Sequence, residues 1–440
     1  MKRINNYIFL FFSLVSIVSF GQDVLTVEQA VDLVLENNYG IIISKNNTKI
    51  ADNNASSLNS GYLPTVTGAA GGNYRLDNYA ESVFQDGTAR TGSNLASKSY
   101  NASLNVNYTL FDGLGRKYNF KKLVETHQLT ELQARETAEL TLLELFNAYY
   151  NIAQLTENLK ALETTMDISQ QRLKRVSYQK EYGQGSNLDI LNAEVDINTD
   201  SVNYFNLVQE IANAKHNLNL ILARDIKAEF VIDTTIVFLD SINETLLFES
   251  MVNNNVTMMQ LEKELDIATY NYKVNKSDYL PVVAMNGSYG LTKNFNNSAS
   301  FLNSTYNRGL SAGVTLNWNV FDGGTTKTKV QNAQVSIDNQ HVKKESLEKQ
   351  VERDFINAWE TYQNKLFILK TQERNLRTTQ INFNRTEELN KVGRITSVEY
   401  RQAQLNLLNA EINKTFSKYD AKVAELKVLQ LSGQLLEVNF

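Results

Sequence analysis

The sequence predicts a mixed, mainly α protomer that is written as two structural repeats and sends four β-strands into a membrane. Three observations carry this expectation. The 440-residue chain has only two prolines, Pro64 and Pro281, and both stand in the tripeptide Tyr-Leu-Pro. Two segments, 100–111 and 310–320, alternate apolar and polar side chains with a period of two. Two others, 116–182 and 325–392, run without Gly or Pro far beyond the length of an ordinary domain helix.

The N-terminus comes first. Lys2 and Arg3 precede an apolar run from Tyr7 to Phe20, and "SFGQ" supplies small residues for cleavage, so 1–21 reads as a secretory signal peptide. The first repeat is assigned to 22–230 and the second to 231–440. Aligning Pro64 with Pro281 pairs Ala51 with Ala268, Tyr62 with Tyr279 and Val66 with Val283. "NASLNVNYTLFDG" then lies over "SAGVTLNWNVFDG", and "YGQGSNLDILNAEV" over "VGRITSVEYRQAQL". Each repeat therefore reads helix, Tyr-Leu-Pro, strand, polar loop, strand, Phe-Asp-Gly, very long helix, glycine turn, helix.

The approaching helices are expected at 26–60 and 246–277. Pro64 and Pro281 end them and open the strands, because proline pushes its predecessor out of the helical region and is tolerated at the first residue of a strand. Gly113 and Gly323 make the reverse switch, from strand to helix. Strands are expected at about 64–78 and 99–112, then at about 281–294 and 308–322. Tyr100, Ala102, Leu104, Val106, Tyr108 and Leu110 face one way, and Asn101, Ser103, Asn105, Asn107 and Thr109 the other. The length suits a tilted spanning strand, aromatic residues lie toward the strand ends, and the polar face is uncharged. Four strands do not close a barrel, and unpaired edges are not tolerated in hydrocarbon. Two copies would give 8 strands and three would give 12, and both closures fit known barrel sizes.

The long helices are expected at about 113–182 and 323–392, each folding back on a partner at 186–222 or 396–432. Apolar residues recur at spacings of three and four, as in a coiled-coil seam. Leu145, Tyr149, Ile152, Leu162 and Phe355, Tyr362, Leu369 mark the long helices. Leu188, Leu191, Val195 and Leu408, Phe416, Tyr419, Leu426 mark the partners.

Composition excludes several functions. Lys+Arg 43 against Asp+Glu 48 leaves a net charge of −5 and no basic footprint for nucleic acid. With no cysteine, disulfides, thiolate catalysis and Cys-based metal sites are out. His127, His216 and His341 are scattered, and no Gly-rich phosphate loop opens a helix. "GAAGG" (68–72) lies inside a strand pattern, where it suits a bulge or close backbone approach. No enzyme activity, cofactor or metal is expected.

The ordered duplication resembles the TolC family of outer-membrane efflux channels, over nearly the whole chain after the signal. The resemblance rests on "LTVEQAVDLVLENN", the two "YLP" junctions, "LFDG" and "VFDGG", and the two glycine-containing tips. It implies a homotrimer whose twelve strands close a barrel in the outer membrane and whose helices continue as a hollow cylinder into the periplasm. Residues 224–246 and the C-terminal "LLEVNF" would then form a mid-height belt. The function it implies is the exit duct of a tripartite efflux system, passively conducting small molecules delivered by a periplasmic adaptor and an inner-membrane transporter. The outer component of type I protein secretion, or of metal export, is the near alternative. A structural coiled-coil envelope protein is the alternative of another class. Asp189 and Glu399 each follow a tip glycine by six residues and match acidic members of the family's periplasmic constriction, where crowding would raise their pKa values. Helix-dipole complementarity also accounts for a carboxylate there. Arg394 matches a link residue of that constriction, displaced by one position, and Gln402 stands where the family has a second acid. Gly183, Gly185 and Gly393 resemble the turns that meet the adaptor tip to tip.

Overall fold

A computed structural model describes residues 24–239 and 242–437. The expected signal peptide, 1–21, lies outside the described residues, as does the end of the C-terminal hexapeptide. The elements follow in the order β1 (Val24–Leu25), α1 (Val27–Asn37), α2 (Tyr39–Asn54), β2 (Thr65–Val83), β3 (Ala89–Phe111), α3 (Gly115–Glu181) and α4 (Asn187–Ile221). Then come β4 (Val231–Ile232), α5 (Glu244–Asn254), α6 (Val256–Ser277), β5 (Val282–Phe295), β6 (Ser304–Asn317), α7 (Thr325–Lys391) and α8 (Ser397–Leu431). The chain divides into two compact units. One holds the residues up to Lys45, Gln133–Met259 and those from Leu347 onward; the other holds Asn46–Leu132 and Gln260–Ser346.

The second unit contains one antiparallel sheet in the order β2-β3-β5-β6. β2 and β5 begin at the residue after Pro64 and Pro281. The Phe-Asp-Gly motif works through its aspartate as well as its glycine. Gly113 and Gly323 take left-handed φ values of 66° and 71°. Asp112 accepts from the Arg116 amide at 2.9 Å, and Asp322 accepts from Thr326 at 2.8 Å, so each carboxylate satisfies an orphan N–H at the start of a long helix. A side chain at Gly113 would also collide with the Ser277 carbonyl. Strand lengths depart from the alternation in both directions. β2 runs on to Val83 and β3 begins at Ala89, because these two strands pair with each other beyond the point where β5 stops, opposite Lys98. β6 ends at Asn317 rather than near 322, since its partner β5 begins at Val282, opposite Asn317.

The first unit is helical. The approaching helices are each broken in two, at Asn38 and Asn255, where single helices were expected. Both asparagines are extended, with ψ of 128° and 120°. Asn38 Oδ1 accepts from the Gly40 and Ile41 amides and its Nδ2 donates to the Ile221 carbonyl at 2.9 Å. Asn255 repeats the arrangement with Thr257, Met258 and the Leu431 carbonyl at 3.0 Å. One side chain thus caps a helix start and satisfies the end of another helix, which outweighs the continuous helix that the local sequence permits. The core gathers around Tyr149 and includes Ala30, Val34, Phe146, Ile152, Leu218, Phe355 and Leu426. The Tyr149 hydroxyl lies 2.8 Å from the Leu25 carbonyl and 3.2 Å from that of Asp233, which fastens the two-residue parallel pairing of β1 and β4.

The seam expected on α4 is overturned. Leu188, Leu191 and Val195 are 64%, 51% and 63% exposed, and α4 instead buries Ala193, Asp200, Ala214, Leu218 and Asn219. The spacing was helical, but small and polar residues form the inward face. The apolar stripe, continued by Val202 and Phe205 at 60% and 68% exposure, stays largely uncovered within the single chain.

Candidate functional site

The two tips are built alike. Helix α3 ends with Gly183 at φ 72° and α7 with Gly393 at φ 69°. The amides of Gln184 and Arg394 bond back to the carbonyls of Gln179 and Leu389 at 2.7 and 2.9 Å, which closes each helix end with glycine in the left-handed position. Gly185 has a separate reason: an added Cβ would lie 2.9 Å from the Lys180 backbone nitrogen.

Each returning helix then opens on a capping box. Ser186 accepts from the Asp189 amide at 3.2 Å, while Asp189 accepts from the Ser186 hydroxyl at 2.7 Å. Thr396 and Glu399 repeat this, with the Thr396 amide and hydroxyl both 2.8 Å from Glu399 Oε2. The sequence bears the pattern [ST]-x-x-[DE] in both places. Within the protomer these bonds hold the Glu399 carboxyl below the usual carboxylate range, the Thr396 amide contributing most. The upward shift expected from crowding concerns assembled copies; within the single chain the Glu399 carboxyl is shifted down. Arg394 is exposed, and no ion pair or side-chain hydrogen bond to it occurs among the described residues. Asp189, Glu399 and Arg394 are thus placed on the tips but are not brought into contact with one another in one protomer.

What the structure does bring together lies just behind the tips and was not foreseen. Arg401 of α8 makes a two-pronged bond to Asp200 of α4, at 2.6 and 2.9 Å. Ser169 of α3 donates to the same carboxylate at 2.8 Å, and Gln404 donates to the Thr165 carbonyl at 2.8 Å. Beside it, Arg172 of α3 pairs with Asp196 at 2.5 Å and reaches Ser397 at 2.7 Å. Arg401 and Asp200 keep 10% and 2% of their side-chain surface. Planar bidentate pairing suits such burial, because it satisfies several donors and both carboxylate oxygens at once. The cluster fastens the hairpin of α7 and α8 to that of α3 and α4, with a further bond from Arg175 to Asn390 at 2.9 Å. The signal available in the sequence was two aspartates four residues apart on α4, Asp196 and Asp200.

The sheet supplies the other functional surface. Its registers place Thr67, Asn105, Ser288 and Ser311 in one row across the four strands, and Asn73, Ser99, Asn294 and Thr305 in another. Between them runs a row of small residues: Ala69, Ser103, Gly290 and Gly309. Polar neighbours bond across strands, Ser99 to Asn294 at 2.7 Å and Asn294 to Thr305 at 3.0 Å. The opposite face carries Val66, Val106, Leu104, Met285, Tyr289, Val314 and Leu310, all at least partly exposed. β2 and β6 are the outer strands, each paired on one side only.

These features define a protein that spans a bilayer with strands and extends helices from it. The family of outer membrane efflux proteins matches residues 30–224 and 247–434, and the chain belongs to that family. It is a protein of the outer membrane that reaches into the periplasm. The chain is similar to the outer membrane efflux protein BepC of Brucella suis, at 18% identity over 91% of this chain and 83% of that one. It is also similar to the outer membrane protein TolC of Vibrio cholerae, at 21% identity over 69% of this chain and 70% of that one. Among solved structures, the Campylobacter jejuni CmeC outer membrane channel superposes with a TM-score of 0.77 at 15% identity, covering 93% of this chain and 86% of that one. The open state of the Neisseria gonorrhoeae MtrE outer membrane channel superposes with a TM-score of 0.66 at 16% identity, covering 93% and 89%.

Proposed function

We propose that the protein is the outer-membrane exit duct of a tripartite efflux system, closed as a homotrimer and conducting small molecules passively. The observation that carries this is the four-stranded sheet with two open outer edges, one apolar face and one face of Asn, Ser, Thr and Gly. Such edges are untenable in hydrocarbon, so further copies must complete the barrel around the polar face. Three copies give twelve strands. The exposed stripe of Leu188, Leu191, Val195, Val202 and Phe205 supports the same association, since it offers a neighbouring copy an apolar helix face.

A periplasmic adaptor would meet the turns at Gly183, Gly185 and Gly393, and an inner-membrane transporter would deliver the cargo. In the trimer Asp189 and Glu399 supply six carboxylates near the entrance, which favours cations, and Arg394 remains free to link neighbouring hairpins. Asp189→Asn with Glu399→Gln keeps a capping acceptor at each site while removing the charge. Single-channel recordings of that double variant should show reduced cation preference. Unchanged selectivity would remove the constriction from this reading. Substituting alanine at Gly183 and Gly393 should impair adaptor capture more than insertion of the channel.

A further inference from the structure

We propose that the outward face of the sheet carries a binding site for the phosphate-bearing headgroup of an outer-leaflet lipid, formed by Lys98, Lys293 and Arg308. Across the four strand segments 65–74, 98–111, 282–295 and 304–317, these are the only charged residues, and all are positive. Registers place them on one face and at one end. Lys98 stands opposite Phe295 and Tyr74, Lys293 opposite Tyr100 and Tyr306, and Arg308 opposite Leu291. That face is the apolar one, since Leu291, Leu310, Leu104 and Val314 share it by the same alternation. It is the lipid side of a closed barrel.

Lys98 and Lys293 are diagonal neighbours through Phe295, and Lys293 and Arg308 through Tyr306. Diagonal neighbours in a sheet lie about 7–8 Å apart, which suits cations bridged by one polyanionic headgroup. All three side chains are exposed, and none forms an ion pair among the described residues. Ring contacts hold the two lysines at the surface: Lys98 lies 6.0 Å from the Tyr74 ring centroid and Lys293 5.0 Å from that of Phe295.

Position decides which lipid region they meet. The strands leave the helices at Pro64 and Pro281, on the periplasmic side. From Val282 to Lys293 the strand rises roughly 36 Å, and a tilt of about 45° leaves about 25 Å of height, the thickness of the apolar band of such barrels. The cations therefore reach the far interface, the outer leaflet, with the aromatic residues Tyr74, Tyr100, Phe295 and Tyr306 that characterise such girdles. Charge on the lipid face is tolerated at that depth and resisted at the midplane. A headgroup bearing two phosphates on a sugar gives three cations more than one anionic partner, and the guanidinium of Arg308 can engage one of them bidentately. The inference rests on the sheet spanning the membrane, so the test reads the two claims separately.

The test uses the full-length channel in mild detergent, wild type beside Lys98→Gln/Lys293→Gln/Arg308→Gln. Native mass spectrometry would follow titration with diphosphoryl lipid A, with its monophosphoryl form, and with phosphatidylcholine. The wild type should retain the diphosphoryl lipid most strongly, and the triple variant should bind it at least ten-fold more weakly. Lys98→Arg/Lys293→Arg should keep the affinity, which separates loss of charge from loss of structure. Equal retention by wild type and triple variant overturns the proposal. So does equal affinity for free pyrophosphate, which would make the site one for soluble anions. Planar-bilayer conductance of both proteins tests the spanning reading: a conducting triple variant that has lost the lipid supports the proposal, and a wild type that neither inserts nor conducts sinks the membrane placement itself.

Discussion

The two copies of the repeat share a backbone and differ in what their side chains bury. α3 and α7 are both 67 residues long, and α4 and α8 both 35. Yet the charged cluster behind the tips uses complementary halves of the two copies. At the offset that superposes Asn187 on Ser397, Arg401 falls on Leu191 and Asp200 on Ala410, while Asp196 falls on Asn406 and Arg172 on Asn382. The first copy keeps the acids and the second the bidentate arginine. α4 buries few apolar residues, whereas α8 buries Leu407, Leu408, Tyr419, Leu426 and Leu429. Duplicated backbone with divided chemistry makes each hairpin incomplete alone, so the pair holds in one register.

The sharpest way to break this complementarity is to give each position the residue of the other copy. Arg401→Leu leaves Asp200 buried without its partner, a loss of about 3–5 kcal/mol by the general cost of an orphaned buried charge. Hydrogen exchange at the first turns of α4 and α8 should speed up by at least about two orders of magnitude, since 1.4 kcal/mol is a factor of ten. Adding Asp200→Ala should restore most of the protection. If the double variant is as labile as the single one, the two residues are not coupled.

Much of the plan was legible because it was written twice. The Tyr-Leu-Pro junctions, the Phe-Asp-Gly switches and the tip glycines carry strong local backbone preferences, so their positions survive tertiary context. The breaks at Asn38 and Asn255 were hidden, because an asparagine inside an amphipathic run declares itself only when its side chain finds a carbonyl distant in sequence, here Ile221 or Leu431. The seam on α4 misled for a related reason. Periodicity reports that a helix has an apolar side, but not whether its own hairpin or another molecule covers that side. The buried cluster escaped because Arg172, Asp196, Asp200 and Arg401 look like solvated helix residues until four helices are placed.

A second comparison sets Asn255 against Asn38. Both cap a helix and both donate to a helix end, but Asn255 is 3% exposed and Asn38 is half-buried. Asn255→Ala removes the cap and strands the Leu431 carbonyl away from water, so it should cost about 2 kcal/mol, at the upper end for a cap. Asn38→Ala should cost about 1 kcal/mol, because water can replace part of what is lost. Thermal melts of the detergent-extracted variants should rank them in that order. The reverse ranking would mean that burial does not set the difference.

The smallest effect is read by pH at the second tip. The folded chain holds the Glu399 carboxyl below its ordinary range through the Thr396 amide and hydroxyl. A depressed carboxyl contributes stability that is complete above the unfolded pKa and fades as pH falls through the folded one. The first turn of α8 should therefore lose exchange protection only in acid, below the usual glutamate range. Glu399→Gln keeps an acceptor in the capping box and removes the titration, so its residual protection should be flat across the same window. Acid sensitivity that persists unchanged in Glu399→Gln would assign the effect to another group and leave the cap without a part in it.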